Sequence, residues 1–110
     1  MPELPPALFI LVSDFARDFS MYEDPARADG ACVDASCRFL TRTTHEGLEG
    51  ILVDLFFPED IERFPHKLYY DNGYGGHTVV KVGRFWIDFT ARQFDPGAPF
   101  PLVWEDEEDT

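Results

Sequence analysis

The chain has 110 residues and a net charge of −12, with 21 acidic side chains against nine basic ones. This length suits a single domain, and 45% hydrophobic residues are enough for a modest core. Such a negative balance disfavours contacts with nucleic-acid phosphates. Since no apolar run reaches the roughly 20 residues of a membrane helix and no sorting signal is evident, we expect no membrane partner and a cytoplasmic location.

The acidic side chains are concentrated at the C-terminal end. Residues 105–109 (EDEED) are all acidic, and without them the chain still has 16 acids against nine bases. We therefore expect one domain over residues 1–104, followed by an acidic disordered tail over residues 105–110. The simplest role of this charge is solubility, while binding of a basic protein or mimicry of nucleic acid are alternatives.

The N-terminal half predicts two helices. Apolar residues recur at helical spacing after Pro5-Pro6, which predicts a helix over residues 6–21. A polar loop follows over residues 23–31, and a second helix is expected from about Cys32 to Thr43. The side chains expected on the inward face of this second helix are Val33, Ser36, Cys37, Phe39 and Leu40.

The C-terminal half predicts strands. Residues 51–57 (ILVDLFF) are apolar enough for a central strand, and a helical turn over 58–63 and a loop over 65–76 follow. Alternation from His77 to Val82, a turn at Gly83-Arg84 and a second apolar run predict a β-hairpin. Prolines at 96, 99 and 101 predict irregular structure beyond Asp95, with residues 102–104 packing back once more.

Three side chains of this arrangement have the chemistry of a nucleophilic triad. His77 and Asp88 lie on neighbouring strands of the hairpin, and Cys32 opens the second helix. A thiol attacks a carbonyl as the thiolate, whose negative charge a helix N-terminus favours. An imidazole accepts the thiol proton, and a carboxylate fixes the imidazole tautomer. The pattern therefore predicts Cys32 as nucleophile, His77 as base and Asp88 as the orienting carboxylate.

The order Cys, His, Asp resembles that of papain-like and transglutaminase-like cysteine enzymes. The similarity covers about residues 28–96 and is carried by GAC-x-x-x-S at 30–36, GHTVVKV at 76–82 and WIDFT at 86–90. The run DFTARQF at 88–94 looks like that of small members from actinobacteria, their phages and toxin cassettes. The resemblance implies an α+β fold with N-terminal helices packed on a small antiparallel sheet, no cofactor, and a protein or peptide substrate.

An oxyanion formed in such a reaction needs hydrogen-bond donors. The backbone N–H of Cys32 is the first expected donor, and Gln93, Gly76 and Tyr70 are candidates for the second or for substrate contacts. Asp34 lies two residues from Cys32, and its negative charge is expected to raise the thiol pKa and so oppose activation.

Each residue also has a simpler interpretation. Cys32 and Cys37 are five apart in one helix, too far for a disulfide, and either can be a small buried hydrophobe. Free thiols agree with a reducing compartment. Asp88 can pair with Arg92 instead of His77. Cys32, His77 and Asp88 can also be three zinc ligands, although their spacing matches no common metal pattern.

Two functions follow from this sequence. The first is a cysteine-dependent acyl-transfer enzyme acting on amides, as a thiol protease or isopeptidase, a glutamine deamidase or a transglutaminase-like enzyme. The second is a non-catalytic acidic protein of phage or toxin type, which binds and inhibits a host protein through the same scaffold. Intact Cys32, His77 and Asp88 favour the enzyme, whereas the acidic surface favours the binding protein.

Overall fold

The computed structural model describes residues 2–55 and 77–106 of the chain. These residues form a small α+β domain in which helices pack against one antiparallel sheet. The helices are α1 (Pro6–Asp18), α2 (Pro25–Ala28) and α3 (Cys32–His45), and the strands are β1 (Gly50–Leu55), β2 (His77–Val82), β3 (Phe85–Asp88) and β4 (Leu102–Glu105). The helical turn predicted at 58–63 and the loop predicted at 65–76 lie outside the described residues.

The first predicted helix is confirmed but is shorter than expected. Helix α1 begins with Pro6, whose fixed φ suits a first turn, and it buries the side chains Leu8, Leu11, Val12 and Phe15. It ends at Asp18, and a 3₁₀ turn over Ser20–Glu23 replaces its predicted last turn. The loop predicted at 23–31 contains the single turn α2, because Asp24 caps it by accepting a hydrogen bond from the Ala26 N–H at 3.0 Å.

The second predicted helix, α3, is confirmed, but part of its inward face was assigned wrongly. Its buried side chains are Ala35, Ser36, Phe39 and Thr43. Val33 and Cys37 were expected inward and are exposed instead. At about 100° per residue, positions two before Ala35 and two after it point well away from the buried face. Both cysteines are free thiols.

The sheet has the strand order β1-β2-β3-β4, and every pair is antiparallel. The predicted hairpin is β2–β3, and Gly83 allows its turn because the backbone there has φ of +61°. The strand predicted at 51–57 is confirmed as far as Leu55, and residues 56–57 lie outside the described residues, but its expected central position is not found in the described sheet. Within the described part of the chain β1 pairs only with β2, and Ile51 and Leu52 are exposed.

The end of the described chain is more regular than the sequence predicts. Strand β4 pairs with β3, where irregular structure was expected, and Trp104 stacks on Trp86 with ring centroids 5.7 Å apart. The three prolines precede β4 and none lies within it, so the ladder hydrogen bonds of β4 are unaffected. Glu105 belongs to β4, and Asp106 binds Lys81 at 2.6 Å, so the acidic tail does not begin at residue 105 as expected.

Two apolar layers cover the two faces of the sheet. On one face the rings of Phe15, Phe39 and Phe89 meet between the helices and the strands, with centroid distances of 4.4 to 5.3 Å. The second layer contains Leu55, Val79, Trp86, Ala91, Phe94, Ala98 and Leu102. Among the described helices, none combines the length and apolar character required to cross a membrane. Helix α3 packs on β1 and β2.

Candidate active site

The fold brings the three predicted catalytic residues together from three element ends. Cys32 is the first residue of α3, His77 the first of β2 and Asp88 the last of β3. The hairpin register pairs Val80 with Ile87, so it brings Asp88 opposite the residue before Val80. Side chains two apart in a strand share a face, which places Asp88 beside His77 on the same side of the sheet.

His77 and Asp88 form a buried hydrogen-bonded pair. The His77 Nε2 atom lies 2.7 Å from Asp88 Oδ2, and the two side chains are 0% and 1% exposed. Phe94 packs edge-on against the imidazole with a centroid distance of 4.7 Å. A buried carboxylate requires a partner, and the imidazole supplies it. The competing partner, Arg92, is turned elsewhere and donates to the carbonyls of Ala98 and Glu23.

The second oxygen of Asp88 is held by the residue two positions further on. Asp88 Oδ1 accepts hydrogen bonds from the Thr90 N–H at 2.8 Å and from Thr90 Oγ1 at 3.3 Å. This is the local turn that a carboxylate forms with its own backbone two residues on. Because both oxygens are engaged, the carboxylate has a fixed orientation and holds the imidazole in turn.

The thiol of Cys32 meets the other side of the imidazole. The Cys32 thiol interacts with the His77 imidazole, and each of the two groups shifts the pKa of the other, while the Thr78 backbone also favours the thiolate. Nε2 binds Asp88, so Nδ1 is the ring nitrogen that faces away from the carboxylate, and it is buried. Cys32 is partly exposed, whereas His77 and Asp88 are buried, so the sulfur is the accessible atom of the three groups.

The electrostatics of the site favour a thiolate beside an imidazolium. Burial lowers the pKa of His77, but the charge and hydrogen bond of Asp88, with smaller contributions from Cys32, raise that pKa to about 9. Burial raises the pKa of the Cys32 thiol, but the hydrogen bonds from His77 and the Thr78 N–H and the imidazolium charge bring that pKa below its ordinary value. The negative charge of Asp88 opposes this lowering as the smallest cause.

The expected opposition from Asp34 does not arise. Asp34 accepts hydrogen bonds from Tyr22 Oη and Arg38 Nε, each at 3.0 Å, and these partners lower its own pKa. Its charge is therefore balanced by Arg38 on the exposed side of α3. The groups that oppose ionisation of Cys32 are its burial and Asp88.

The sequence did not identify the contact that docks the nucleophile helix on the histidine strand. Ser36 Oγ donates to the Thr78 carbonyl at 3.0 Å, one helical turn after Cys32. The Thr78 backbone therefore contacts α3 twice, through its carbonyl at Ser36 and through its N–H at Cys32. The spacing of Cys32 and Ser36 on one helix face was a usable signal, but a backbone contact from Thr78 leaves no trace in residue type.

Of the three candidates for the second oxyanion donor, one lies within the described residues. Gln93 lies in the site but is engaged on both ends of its amide, with Thr90 Oγ1 at 3.1 Å and the Gly30 N–H at 3.3 Å. Gly76 and Tyr70 lie outside the described residues. The first expected donor, the Cys32 N–H, belongs to the first turn of α3, which has no side-chain cap.

The same trio is not arranged as a metal site. The imidazole lies between the thiol and the carboxylate, with Nε2 towards Asp88, so the three groups form a chain and do not converge on one point. In the ranges 2–55 and 77–106, no three Cys, His, Asp or Glu side chains are grouped to hold a metal ion.

The chain has no counterpart in the three comparisons with known proteins: no family model, no curated protein and no solved structure matches it.

Proposed function

We propose that this protein is a cysteine-dependent acyl-transfer enzyme that acts on amides, with Cys32 as nucleophile, His77 as acid and base, and Asp88 as the orienting carboxylate. The observation that carries the proposal is the buried His77–Asp88 pair, with Nε2 and Oδ2 2.7 Å apart, whose imidazole also interacts with the Cys32 thiol. Such a relay is the arrangement that activates a thiol for attack. By resemblance, its scaffold is a small papain-like or transglutaminase-like domain.

The first half-reaction forms a thioester. The Cys32 thiolate attacks the amide carbon, a C–S bond forms, and the carbonyl electron pair moves to oxygen. When this oxyanion collapses, the C–N bond breaks and the leaving nitrogen takes the proton from the His77 imidazolium. The uncapped first turn of α3 presents N–H groups and the positive end of the helix dipole to the developing negative charge.

The second half-reaction decides between the alternative activities. His77, now neutral, accepts a proton from the incoming nucleophile, whose oxygen or nitrogen attacks the thioester carbon. The C–S bond breaks, and the thiolate and imidazolium return. Water as the acceptor gives peptide or isopeptide hydrolysis, or deamidation when ammonia left first, whereas an amine gives transamidation. A protein or peptide substrate, no cofactor and a cytoplasmic location belong to this proposal.

Acylation by p-nitrophenyl acetate tests the proposal without knowledge of the natural substrate. We expect a burst of nitrophenolate equal to the enzyme concentration, an acetyl group on Cys32 by peptide mass spectrometry, and continued turnover. Cys32→Ala should abolish the burst, and His77→Ala should slow deacylation about 100-fold or more. Cys37→Ala, an exposed thiol on the same helix, is the matched control and should leave both phases unchanged.

The acidic binding protein remains the competing function, and it makes the opposite predictions. An acyl group that is neither acquired nor released by Cys32 would contradict the enzyme. Inhibition of a host protein that weakens steeply with salt and survives Cys32→Ala would then identify the acidic surface as the active part. The net charge of −12 is the observation that favours this alternative.

A further inference from the structure

Gln93 occupies a position that the three catalytic roles leave unexplained. Thr90 immediately precedes a 3₁₀ turn over Ala91–Gln93, and side chains three apart align in such a turn. Gln93 Nε2 accordingly donates to Thr90 Oγ1 at 3.1 Å. Its Oε1 accepts from the Gly30 N–H at 3.3 Å, across 63 residues of sequence. One side chain therefore joins the support of Asp88 to the loop that leads into Cys32.

This bridge closes a ring of contacts through the site. The ring runs from Cys32 to His77, from His77 to Asp88, from Asp88 to Thr90, and from Thr90 to Gln93. It returns through Gln93 to Gly30, two residues before the nucleophile. The segment from Asp88 to Thr90 is thus linked to the segment from Gly30 to Cys32 in two ways, through His77 and through Gln93.

The direction of each bond in the bridge is set by its chemistry. The Gly30 N–H can only donate, so the Gln93 oxygen faces it. The Thr90 hydroxyl donates to the Asp88 carboxylate and so accepts from the Gln93 amide nitrogen. A residue here must accept at one end and donate at the other, which glutamine does and glutamate does not.

The backbone at Gly30 has conformational freedom that a side-chain contact can restrict. Gly30 has φ of +75°, a left-handed conformation that glycine adopts freely, and α3 begins only two residues later. A change of backbone conformation here displaces the Cys32 sulfur relative to the buried imidazole. Within the described residues, Gln93 is the side chain that accepts a hydrogen bond from the Gly30 N–H.

We propose that Gln93 is a positioning residue, which fixes the loop before α3 against the Asp88–Thr90 corner and so sets the distance between the Cys32 sulfur and the His77 ring. This inference deepens the proposed function and rests on it. It assigns Gln93 a role different from oxyanion stabilisation, since its effect is on the resting thiolate and not on a reacting carbonyl. The rate of Cys32 alkylation by iodoacetamide as a function of pH reports that effect.

Three variants test the role. Gln93→Ala removes both bonds, and Gln93→Glu keeps the shape and the bond from Gly30 but cannot donate to Thr90. The matched control is Arg92→Lys, because Arg92 is the neighbouring residue and also makes long-range hydrogen bonds, to the Glu23 and Ala98 carbonyls, without touching the catalytic residues. Lysine keeps the charge but not the two-pronged geometry. Thermal unfolding of every variant establishes that it is folded.

We expect both Gln93 variants to lower the Cys32 alkylation rate at pH 6 by about fivefold to tenfold, while the rate at pH 10, where any thiol is ionised, changes less than about twofold. Arg92→Lys should leave the whole profile unchanged although it lowers the melting temperature. Suppose that the midpoint of the Cys32 alkylation profile lies below the ordinary thiol pKa in wild type. If both Gln93 variants keep that midpoint, the positioning role alone is overturned. An ordinary midpoint near 8.5 in wild type overturns the proposed function and this inference together. Loss of folding in both variants identifies a structural residue and also overturns the inference.

Discussion

The His77–Asp88 pair is costly to bury, and its partners define what it does. Removing two charges from water is repaid only when the geometry is good and the remaining lone pairs are satisfied. Here Asp88 receives two bonds from Thr90 in addition to the imidazole. A buried pair contributes little to stability compared with apolar residues of the same volume, whereas a charged pair at this position is what the proposed activation of Cys32 requires.

Substitution of the carboxylate separates its charge from its shape. Asp88→Asn retains the volume and an oxygen that can accept from Thr90, but it removes the charge that most strongly raises the His77 pKa. We expect that pKa, followed by NMR of the imidazole, to fall from about 9 to about 6.5 or below. Asp24→Asn, which preserves the cap of α2, should leave the His77 pKa unchanged. An unaltered His77 pKa in Asp88→Asn would contradict the pairing.

The raised pKa of His77 also predicts how stability depends on pH. Because that pKa is higher in the folded state than the unfolded value of about 6.5, its stabilisation is complete below about 6.5 and is lost as pH rises towards about 9. In a Cys32→Ala background, where no thiol titrates at this position, urea unfolding should show a loss on the order of 2 kcal/mol between pH 6 and 9. The double variant Cys32→Ala/His77→Gln should lack this loss, and a persisting slope would assign it to another group.

At the residue scale, the sequence predicts the trio better than its surroundings. Asp88 stands among large apolar residues and needs a partner, and hairpin geometry supplies His77. The pairing of Asp34 with Arg38 is a local i,i+4 pattern, but the hydrogen bond from Tyr22, 12 positions away, leaves no local pattern. For the same reason the tie from Gln93 to Gly30 could not be predicted, because it depends on how a 3₁₀ turn meets a distant loop.

At the scale of elements, α3 and β2 must keep a fixed relation for Cys32 to meet His77. The Ser36–Thr78 bond sets this relation within a buried contact, and the rings of Phe15, Phe39 and Phe89 pack behind it. A buried hydroxyl group without a partner is destabilising, and the bond to the Thr78 carbonyl satisfies the hydroxyl of Ser36. Helix α3 therefore presents its first residue to the histidine through its own docking contact.

Ser36→Ala should weaken both the docking and the site. Loss of a buried hydrogen bond that leaves the Thr78 carbonyl unsatisfied is expected to cost about 1–2 kcal/mol of unfolding free energy, measured in urea. The Cys32 alkylation rate at pH 6 should fall as well. Thr41→Ala is the matched control, since Thr41 donates to the Cys37 carbonyl on the exposed side of α3. Equal effects of the two substitutions would contradict the docking role.

Errors in the predicted elements have identifiable physical causes. The strand predicted at 51–57 was expected to be central because its sequence is mostly apolar, but its described part, Gly50–Leu55, lies at an edge of the described sheet. Strand order depends on which partners are available, not on the composition of one strand. Residues 102–105 were not recognised as a strand because the preceding prolines dominate the local signal, whereas pairing with β3 decides the outcome.

At the scale of the whole molecule, the last described residue attaches the chain end to the sheet. The Asp106 N–H donates to the Arg84 carbonyl at 2.8 Å, its carboxylate pairs with Lys81 at 2.6 Å, and Trp86 Nε1 donates to it. These contacts tie the chain end to the β2–β3 turn and so to the strands that carry His77 and Asp88. Periodicity predicted the individual helices and the hairpin, and the resemblance implied that helices pack on an antiparallel sheet, but neither indicated this contact of the chain end.

Truncation locates where the domain ends. A chain that stops at Glu105 should be about 1–3 kcal/mol less stable in urea than one that stops at Asp106, because it loses the bonds to Lys81 and Trp86. The full chain and the chain ending at Asp106 are the references. Equal stability of the two truncated chains would show that Asp106 contributes nothing to the domain.

The central claim is an activated thiol, and its most direct test is the rate of iodoacetamide alkylation at Cys32 from pH 5 to 9 in wild type and His77→Ala. Cys37, exposed on the same helix, serves as the internal reference thiol and is quantified in the same digest. We predict that Cys32 reacts at pH 6 at least about tenfold faster than Cys37 and loses this advantage in His77→Ala. Equal rates for the two cysteines in wild type, or an advantage that survives His77→Ala, would contradict the thiolate–imidazolium pair.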